Sequence, residues 1–543
     1  MSPSPAPRAS VSRIPLSDPD DGPGGRRQLG IPSTIGMLAG AAVAFFGFFW
    51  ILDLWIAGRG DEAAMGGISA FLDFDTETLQ NTLGSLASII VAVFGIAITV
   101  VSIVVQLAAT RYSSHIARMF FHDRKNLAIM SFFVVASLDV VWVSLGVHSD
   151  YVPEWSVGVS LIVLSGSLLL LIPYFAYVFD YLDPAGIVAR IGNLILRAAT
   201  EHRTPEHRMG QRQADAAQGV EHLADVAVNA ISNKDKVIAA RAIATLRHVL
   251  TFYIGQKQRI ADEATGPSWF RIAGRLQTDP DFAAMEPTSQ AQIESDRVWF
   301  EWKALRQLRN IFTEALSHLP EAAHIVAIAT RQVGSAALAA GDKPAAAATF
   351  KFFNTFLRTS LNARDVRAAY NVFNEYRHLA EDIMGSDQSE FLLEVANYFR
   401  YYGQSAHAMG MGFVTETAAY DLSVLCERAF DSNSPAHADL LKIFLEVDKE
   451  AETKAEEKAL RGVRKAQIRL ATYYIVRGAE AQARTIFEDM RTEDRGRLES
   501  LRQELLAVKS KDFWEVTDRG VNFDYLDAQR KAALDGFFAW FGA

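Results

Sequence analysis

The sequence predicts an all-α protein with two parts: a four-helix transmembrane bundle and a cytosolic α-helical domain with tetratricopeptide-like (α-solenoid) repeats. Three observations predict this fold. Four apolar stretches in the first third of the chain are each long enough to cross a bilayer as a helix. In the remainder, alternating strand patterns are nearly absent, and Ala, Leu, Glu and Arg recur at helical spacing. Small and aromatic residues recur there at the spacing of stacked helix pairs.

The composition of the 543 residues excludes several classes of protein. The chain has 54 Lys and Arg residues against 63 Asp and Glu residues, and its formal net charge is −9. This charge excludes nucleic acid as the main partner, because phosphate binding needs a basic excess or a basic face. The one cysteine, Cys426, excludes an internal disulfide framework and is typical of a reducing compartment.

The chain divides into four predicted segments. They are a disordered cytosolic tail, a transmembrane domain, a cytosolic helical linker domain and a tetratricopeptide-like helical repeat domain, over residues 1–30, 31–183, 184–319 and 320–543. The four predicted membrane spans cover about residues 34–57, 83–109, 127–147 and 157–179.

The distribution of Lys and Arg predicts which side of the membrane each loop faces. Eight of these residues lie in the tail and in the loop between spans two and three: Arg8, Arg13, Arg26, Arg27, Arg111, Arg118, Arg124 and Lys125. The two other loops carry only Arg59. Because cytosolic loops carry the excess of positive residues, both termini are predicted to be cytosolic.

One face of the second predicted span carries small and polar residues. Its helical pattern begins near Thr76 and continues to about Phe121. The candidates on this face are Ser88, Gly95, Thr99, Ser102 and Gln106. One interpretation is close helix–helix packing, which small residues favour in lipid. The other is a hydrated pathway that this face lines in an oligomer.

The opposite face of the same predicted helix is basic beyond the cytosolic membrane boundary. Arg111, His115, Arg118 and His122 follow one another at spacings of four, three and four residues. Anionic lipid head groups attract basic side chains at this position by about 1 kcal/mol each. We therefore predict contacts with lipid head groups, and an electrostatic filter for anions is the alternative.

Asp139 lies near the midpoint of the third predicted span. An ionisable group at that depth is costly and by default indicates a functional site. Thr99 and Ser102 of the second span pass the same depth and are the predicted partners of Asp139. Two interpretations stay open: a protonated Asp139 that holds the helices together, or a step in proton or cation movement.

The run from Gly95 to His115, followed by Phe120-Phe-His-Asp-Arg-Lys-Asn, resembles a bacterial family of predicted membrane proteins with a domain of unknown function. The matching residues are Ser102, Tyr112, Ser113, Asp123 and Arg124. Ser114 and His115 stand where the family has Pro and Arg.

A second stretch, His222–Asp235, resembles a cytosolic motif of the same family without its prolines. The corresponding residues are Asp225, Ala230, Ser232 and Asp235. The resemblance covers roughly residues 30–250 and brings no established activity with it. Together with the loop charges, it implies a multi-pass protein of the bacterial inner (plasma) membrane.

The residues from about 320 onward contain repeats at tetratricopeptide spacing. In this pattern, a small residue, an aromatic residue and a turn glycine precede Ala and Phe on a second helix. The two best matches contain Leu470, Ala471, Tyr474, Gly478, Ala483 and Phe487, and Gly334, Gly341, Ala346 and Phe350. Such arrays usually present a surface to a protein or peptide, and a purely structural helical bundle is the alternative.

The sequence lacks the common catalytic and cofactor motifs, including Gly-x-x-x-x-Gly-Lys-Ser/Thr, His-Glu-x-x-His and Gly-x-Ser-x-Gly. We therefore predict no enzyme, no cofactor and no metal site. The favoured function is a membrane-tethered scaffold whose cytosolic repeats bind a protein partner. The alternative is an oligomeric ion channel or transporter in which the small and polar face of span two lines the pathway. The predicted partners are the lipid bilayer with its anionic head groups, a cytosolic protein or peptide, and a second copy of the chain.

Overall fold

The computed structural model describes most of the chain after residue 75. The described residues are 76–112, 115–148, 154–201, 204–262, 266–385, 389–448, 460–513, 515 and 517–542, with Gly40, Ala44 and Phe48. They are helical apart from loops and one isolated bridge between Asp512 and Val521, which confirms the all-α class. The predicted tail, 1–30, lies outside the described residues, as does nearly all of the first predicted span, 34–57.

The chain forms two compact units, Met1–Arg190 and Ile191–Ala543. The described helices of the first unit are α1 (Thr76–Arg111), α2 (His115–Phe121), α3 (Arg124–Gly146) and α4 (Glu154–Tyr181). Three of them, α1, α3 and α4, are long and apolar enough to cross a membrane, and they overlap predicted spans two, three and four.

The first unit has a small apolar interior and an apolar outer surface. Helices α1, α3 and α4 bury Ile90, Ala136 and Leu164 in one shared cluster. Other large apolar side chains point outward, and Trp142 and Ile162 are 67% and 73% exposed. Because water penalises such a surface, this arrangement indicates that hydrocarbon surrounds the helices.

The predicted continuation of α1 to Phe121 is wrong. Helix α1 ends at Arg111, and α2 begins at His115 as a separate short helix. Ile116 and Phe120 of α2 are fully buried, and the ring of Phe120 meets the ring of Tyr181 at 5.3 Å. The chain therefore changes direction between Arg111 and His115, and α2 packs as an element of its own.

The second unit is an array of helices. Helix α5 (Pro184–Thr200) precedes this array in the chain and contains the boundary between the two units. The longer helices of the array are α6 (Glu206–Ser232), α7 (Lys236–Ala261), α11 (Trp299–His318), α12 (Pro320–Ala339), α13 (Lys343–Asn362), α14 (Val366–Met384), α15 (Ser389–Ala408), α16 (Gly412–Asp431) and α18 (Arg461–Val476). The shorter helices are α8 (Gly266–Trp269), α9 (Pro280–Ala283), α10 (Pro287–Ser295), α17 (His437–Leu445), α19 (Glu480–Met490), α20 (Arg495–Ala507) and α21 (Ala528–Ala539).

Seven helices of this array end in the same way. Each is followed by one residue with φ between 50° and 73°: Lys234, Arg297, Gly341, Arg364, Gly410, Asn433 and Gly478. The next residue donates its N–H to the carbonyl five positions back, as Asp342 does to Ala337 at 2.9 Å and Ala479 to Tyr474 at 2.8 Å. This hydrogen bond defines the Schellman motif, which satisfies the last carbonyls of a helix and reverses the chain.

The helical pairs stack in two layers. Helices α11, α13, α15 and α17 pack in succession in one layer, and α7, α12, α14, α16 and α18 pack in succession in the other. A stack of helical hairpins is the architecture that the repeats predict, while the tetratricopeptide assignment itself stays a prediction.

The predicted repeat residues lie at the interior and at the turns of this array. The buried members of the two sets are Gly334, Ala346, Phe350, Leu470, Ala471, Tyr474 and Ala483. Gly341 and Gly478 occupy the left-handed turn position, and Phe487 is half-buried against Trp540 and Phe541. A Cβ at Gly334 would lie 2.8 Å from Oγ1 of Thr349, so only glycine allows this close crossing.

Helix α7 is also long and apolar enough to cross a membrane. It lies in the second unit, where it packs against α6 and α12 and buries Leu246 and Leu250 completely. Near its end, Nζ of Lys257 lies 2.7 Å from a carboxylate oxygen of both Glu301 and Asp342. We therefore describe α7 as a core helix of the array.

Replacing Gly478 with alanine should destabilise the array by about 1 kcal/mol, because a side chain disfavours the left-handed conformation. Gly255 is the matched control, since it lies inside α7, is exposed and has open space around its Cα. Gly255→Ala should stabilise by about 0.5–1 kcal/mol. Urea unfolding of the full-length chain in detergent measures both, and equal effects of the two substitutions would contradict the assigned turn.

Candidate functional site

The second unit contains a groove of about 680 Å³ between α14, α16 and the segment that follows α20. We call it the C-terminal groove. Its lining is aromatic and acidic: Tyr370, Phe413, Phe513, Phe523, Glu416, Glu515, Asp518 and Asp524. Arg367 is the one cationic residue among its described lining residues. Sequence analysis missed this groove, because its walls come from parts of the chain that are far apart.

An ion pair holds the C-terminal segment on the array. The guanidinium of Arg519 forms two hydrogen bonds to the carboxylate of Asp421 on α16, both 2.9 Å long. Asp421 is fully buried and also accepts a hydrogen bond from Nε of Arg377 at 3.0 Å. Cζ of Arg519 lies 4.2 Å from the centre of the Tyr370 ring. Paired charges of this kind fix the segment that forms one wall of the groove.

Most other charges of the groove are also paired. Asp518 accepts a hydrogen bond from Nδ2 of Asn371 at 2.6 Å and lies 3.3 Å from Nε of Arg367. A carboxylate oxygen of Asp524 lies 2.5 Å from Nζ of Lys465. These pairs reduce the free charge of the groove.

Glu416 differs from these carboxylates. No hydrogen bond or ion pair to its carboxylate occurs within the described structure. Burial is the main cause that raises the pKa of Glu416 to about 7, and repulsion from Asp524 adds to it, while Lys465 acts in the opposite direction. A Cβ at Gly462 would overlap Cδ of Glu416, so glycine at 462 makes room for the side chain. A carboxylate with a strongly shifted pKa in a cavity indicates a functional site.

The structure gives Asp139 a different partner from the predicted ones. Oδ2 of Asp139 accepts a hydrogen bond of 2.5 Å from the hydroxyl of Ser160 on α4. Thr99 and Ser102 on α1 are exposed, and the Thr99 hydroxyl bonds to the Gly95 carbonyl at 2.9 Å. The predicted partners are wrong because Asp139 faces α4 rather than α1. Ser160 is only 1% exposed, so the pair lies inside the helix bundle.

The small and polar face of α1 does not pack against α3 or α4. The five residues of this face are exposed: Ser88, Gly95, Thr99, Ser102 and Gln106. The buried face of α1 instead carries Leu83, Ala87, Ile90, Ala97 and Val101. Within the described part of the first unit, the five exposed residues therefore mediate no contact between spans.

The four predicted head-group residues do not share one helix, since α1 ends at Arg111. That part of the prediction is wrong. Arg118 and His122 are exposed, and Nδ1 of His122 lies 2.9 Å from the carbonyl of Arg118. Arg111 is exposed too, with Cζ 5.3 Å from the centre of the Tyr112 ring. The side chain of His115 lies outside the described residues.

A hydrogen-bond cluster at one end of the first unit was also missed. Asp123 caps α3 by accepting from the backbone N–H groups of Lys125 and Asn126, and it accepts from the Tyr177 hydroxyl at 2.5 Å. The Tyr174 hydroxyl donates to Oδ1 of Asn126 at 3.0 Å. These bonds fix α3 to α4. The family resemblance pointed to Asp123, whereas nothing in the sequence pattern pointed to the two tyrosines.

One acidic cluster has metal-ligand geometry, formed by Glu221, Asp279 and Asp281. The ammonium group of Lys303 lies among the three carboxylates, at 2.5 Å from Glu221 and 2.8 Å from each aspartate. Lys303 is fully buried and takes the place of a cation. We therefore interpret the cluster as a structural ion-pair network.

These features define the class: a multi-helix membrane protein whose second unit is a helical array. Residues 30–218 match the family described as "Predicted membrane protein (DUF2254)". This match agrees with the family resemblance of the membrane part and ends inside α6, so it does not reach the C-terminal groove.

No curated protein matches the chain. A solved structure titled "Circular tandem repeat protein with novel repeat topology and enhanced subunit contact surfaces" is similar over 70% of this chain and 88% of its own. Its sequence identity is 16% and its TM-score is 0.28, and a score this low carries no argument about fold or function.

Glu416→Gln should stabilise the protein at pH 8 and leave it nearly unchanged at pH 5. The pKa of Glu416 is about 7 in the folded chain and 4.5 in the reference state, so the folded state binds the extra proton between these values. Stability therefore falls as pH rises through this window, by about 3 kcal/mol in total.

Urea unfolding of the full-length chain in detergent at the two pH values measures this difference. Glu390→Gln is the control, because Glu390 is 66% exposed at the side chain and pairs with Lys343 at the surface. The control should change stability by less than about 1 kcal/mol at either pH. A change in stability of equal size at pH 5 and pH 8 for Glu416→Gln would contradict the ionisation of Glu416 between these two pH values.

Proposed function

We propose that this protein is a membrane-tethered scaffold whose helical array binds a protein partner. The observation that carries the proposal is the unpaired Glu416 carboxylate in an aromatic groove of about 680 Å³. Pockets of roughly 300–1,000 Å³ with apolar walls and a few polar groups are typical binding sites. Helical arrays commonly present such surfaces to peptides.

The lining predicts the chemistry of the partner. Asp518 and Asp524 are already paired with Arg367 and Lys465, so Glu416 and Glu515 are the carboxylates that favour a basic segment. The aromatic rings favour an apolar anchor next to it. The chain itself supplies a template for this recognition. Arg519 packs on the Tyr370 ring and pairs with Asp421, which is how an arginine from a partner could bind near Glu416.

We further propose that the protein lies in the bacterial inner membrane with both termini in the cytosol. The excess of Lys and Arg in the tail and in the loop between α1 and α3 supports this orientation. Burial raises the pKa of the Cys426 thiol, which suits a free cysteine in a reducing compartment. We propose a binding rather than a catalytic role, because the sequence lacks catalytic motifs.

Site-specific photocrosslinking in cells tests the scaffold. A photoreactive phenylalanine analogue at Phe413, which lines the groove and is 46% exposed, should give one protein adduct. Mass spectrometry should locate the adduct in a basic segment with an apolar residue. The matched control is Phe252, which is 45% exposed and lies on α7 outside the groove.

Two results of this experiment would contradict the scaffold. One is a Phe413 position that gives no adduct. The other is an adduct pattern shared with Phe252, because a specific partner contacts one surface only. An adduct in an acidic segment would reject the proposed partner chemistry.

An oligomeric ion channel or transporter is the second candidate. The observation that favours it is the exposed small and polar face of α1, from Ser88 to Gln106. Hydroxyl and amide groups toward lipid are unfavourable, so a second copy or a hydrated pathway would cover this face better. The part-buried hydrogen bond between Ser160 and Asp139 places an acidic side chain within the membrane-spanning helices.

Ion flux through purified protein in liposomes tests this candidate. Asp139→Asn should change the conductance at least several-fold if the aspartate takes part in ion movement. Ser137→Ala on the same helix is the control, because the Ser137 hydroxyl bonds only to its own backbone at Phe133. A monomer in detergent, or no flux for any ion and voltage, would contradict a channel.

A further inference from the structure

A second pocket of about 570 Å³ lies on α13 and α15, in the other layer of the array from the C-terminal groove. Lys351, Arg358 and Arg400 line it, and none of its lining residues is a carboxylate. This is unusual for a chain whose formal net charge is −9. We call it the cationic pocket.

Two of the three cations lack an acidic partner. In the described structure no carboxylate lies within ion-pair distance of Lys351 or Arg358, whereas Arg400 lies 2.6 Å from Glu446. Lys351, Thr355 and Arg358 follow one another at spacings of four and three residues, so α13 presents them on one face. Within the described structure the pocket therefore holds two positive charges without an ion-pair partner, while Glu394 accepts a hydrogen bond of 2.9 Å from the hydroxyl of Tyr398, another lining residue.

Aromatic side chains complete the pocket. Burial raises the pKa of Tyr402, and the neighbouring Arg358 guanidinium opposes this shift, so the two side chains lie close together. The ring of Tyr401 is 54% exposed and meets the ring of Tyr402 edge-on at 5.1 Å. Tyr401 thus offers an open ring next to the two free cations.

We propose that the cationic pocket binds the phosphate group of an anionic ligand. A phosphate monoester carries about −1.5 to −2 charges at neutral pH, which matches the two unpaired cations. Arginine forms paired hydrogen bonds to phosphate oxygens, and Arg358 lies on the same face of α13 as Lys351. The pocket volume lies in the range of small-molecule sites.

Either a soluble phosphate compound or a lipid head group could supply this chemistry. Titration calorimetry of the full-length protein in nanodiscs of zwitterionic lipid separates the two sources with three probes: inorganic pyrophosphate, ATP and a short-chain phosphatidic acid. Binding of ATP or pyrophosphate assigns a soluble ligand, and selective binding of the phosphatidic acid assigns a lipid head group. Both results support the pocket, provided that the variants below behave as expected.

Lys351→Ala combined with Arg358→Ala should weaken binding at least tenfold. Both side chains are exposed, so the double variant should fold normally, and an unchanged melting curve checks this. Lys343→Ala is the matched control, because Lys343 lies on the same helix and pairs with Glu390 outside the pocket. It should leave affinity within about twofold.

Absence of binding for all three probes at about 1 mM would overturn the proposal. An equal loss of affinity in the double variant and in Lys343→Ala would also overturn it, because general charge rather than the pocket would then be responsible. This experiment is independent of the photocrosslink at Phe413. Each proposal can therefore fail without the other.

Discussion

The C-terminal groove depends on the ion pair between Arg519 and Asp421. Asp421 is fully buried and Arg519 is 3% exposed at the side chain, so neither charge is solvated by water. Removal of one partner from a buried pair typically costs about 3–5 kcal/mol, because the other charge stays uncompensated. Arg377 supplies a second cation to Asp421, so the buried carboxylate on α16 has one cationic partner besides Arg519. This ion pair is therefore the buried contact that fixes one wall of the groove, and the pairs of Asp518 and Asp524 add to it.

The protonation of Glu416 depends on what the groove binds. Its charged form is costly in the free protein, because burial and Asp524 both disfavour it. A cationic group in the groove would favour the same charged form. Binding of a cation and loss of the proton are therefore coupled, and each promotes the other. The charged form of Glu416 destabilises the free array, and a bound cation would reverse this destabilisation. Binding sites commonly carry such a cost in stability.

The sequence predicted features that depend on local chemistry. The length and apolar composition of α1, α3 and α4 were sufficient for the spans, and Gly341 and Gly478 marked turns that need a left-handed residue. The partner of Asp139 was missed, because a pattern does not fix how helices rotate against one another. The groove was missed for a related reason: Asp421 and Arg519 are 98 positions apart. Pairs so distant in the chain leave no local signal.

The seven shared helix ends make the array modular. Four different residue types occupy the left-handed position, yet the backbone reverses in the same way each time. Gain or loss of one whole hairpin would therefore shift the neighbouring layers by a constant step without redirecting the chain. The length of the array can therefore change by whole hairpins while each remaining pair of helices keeps its own packing.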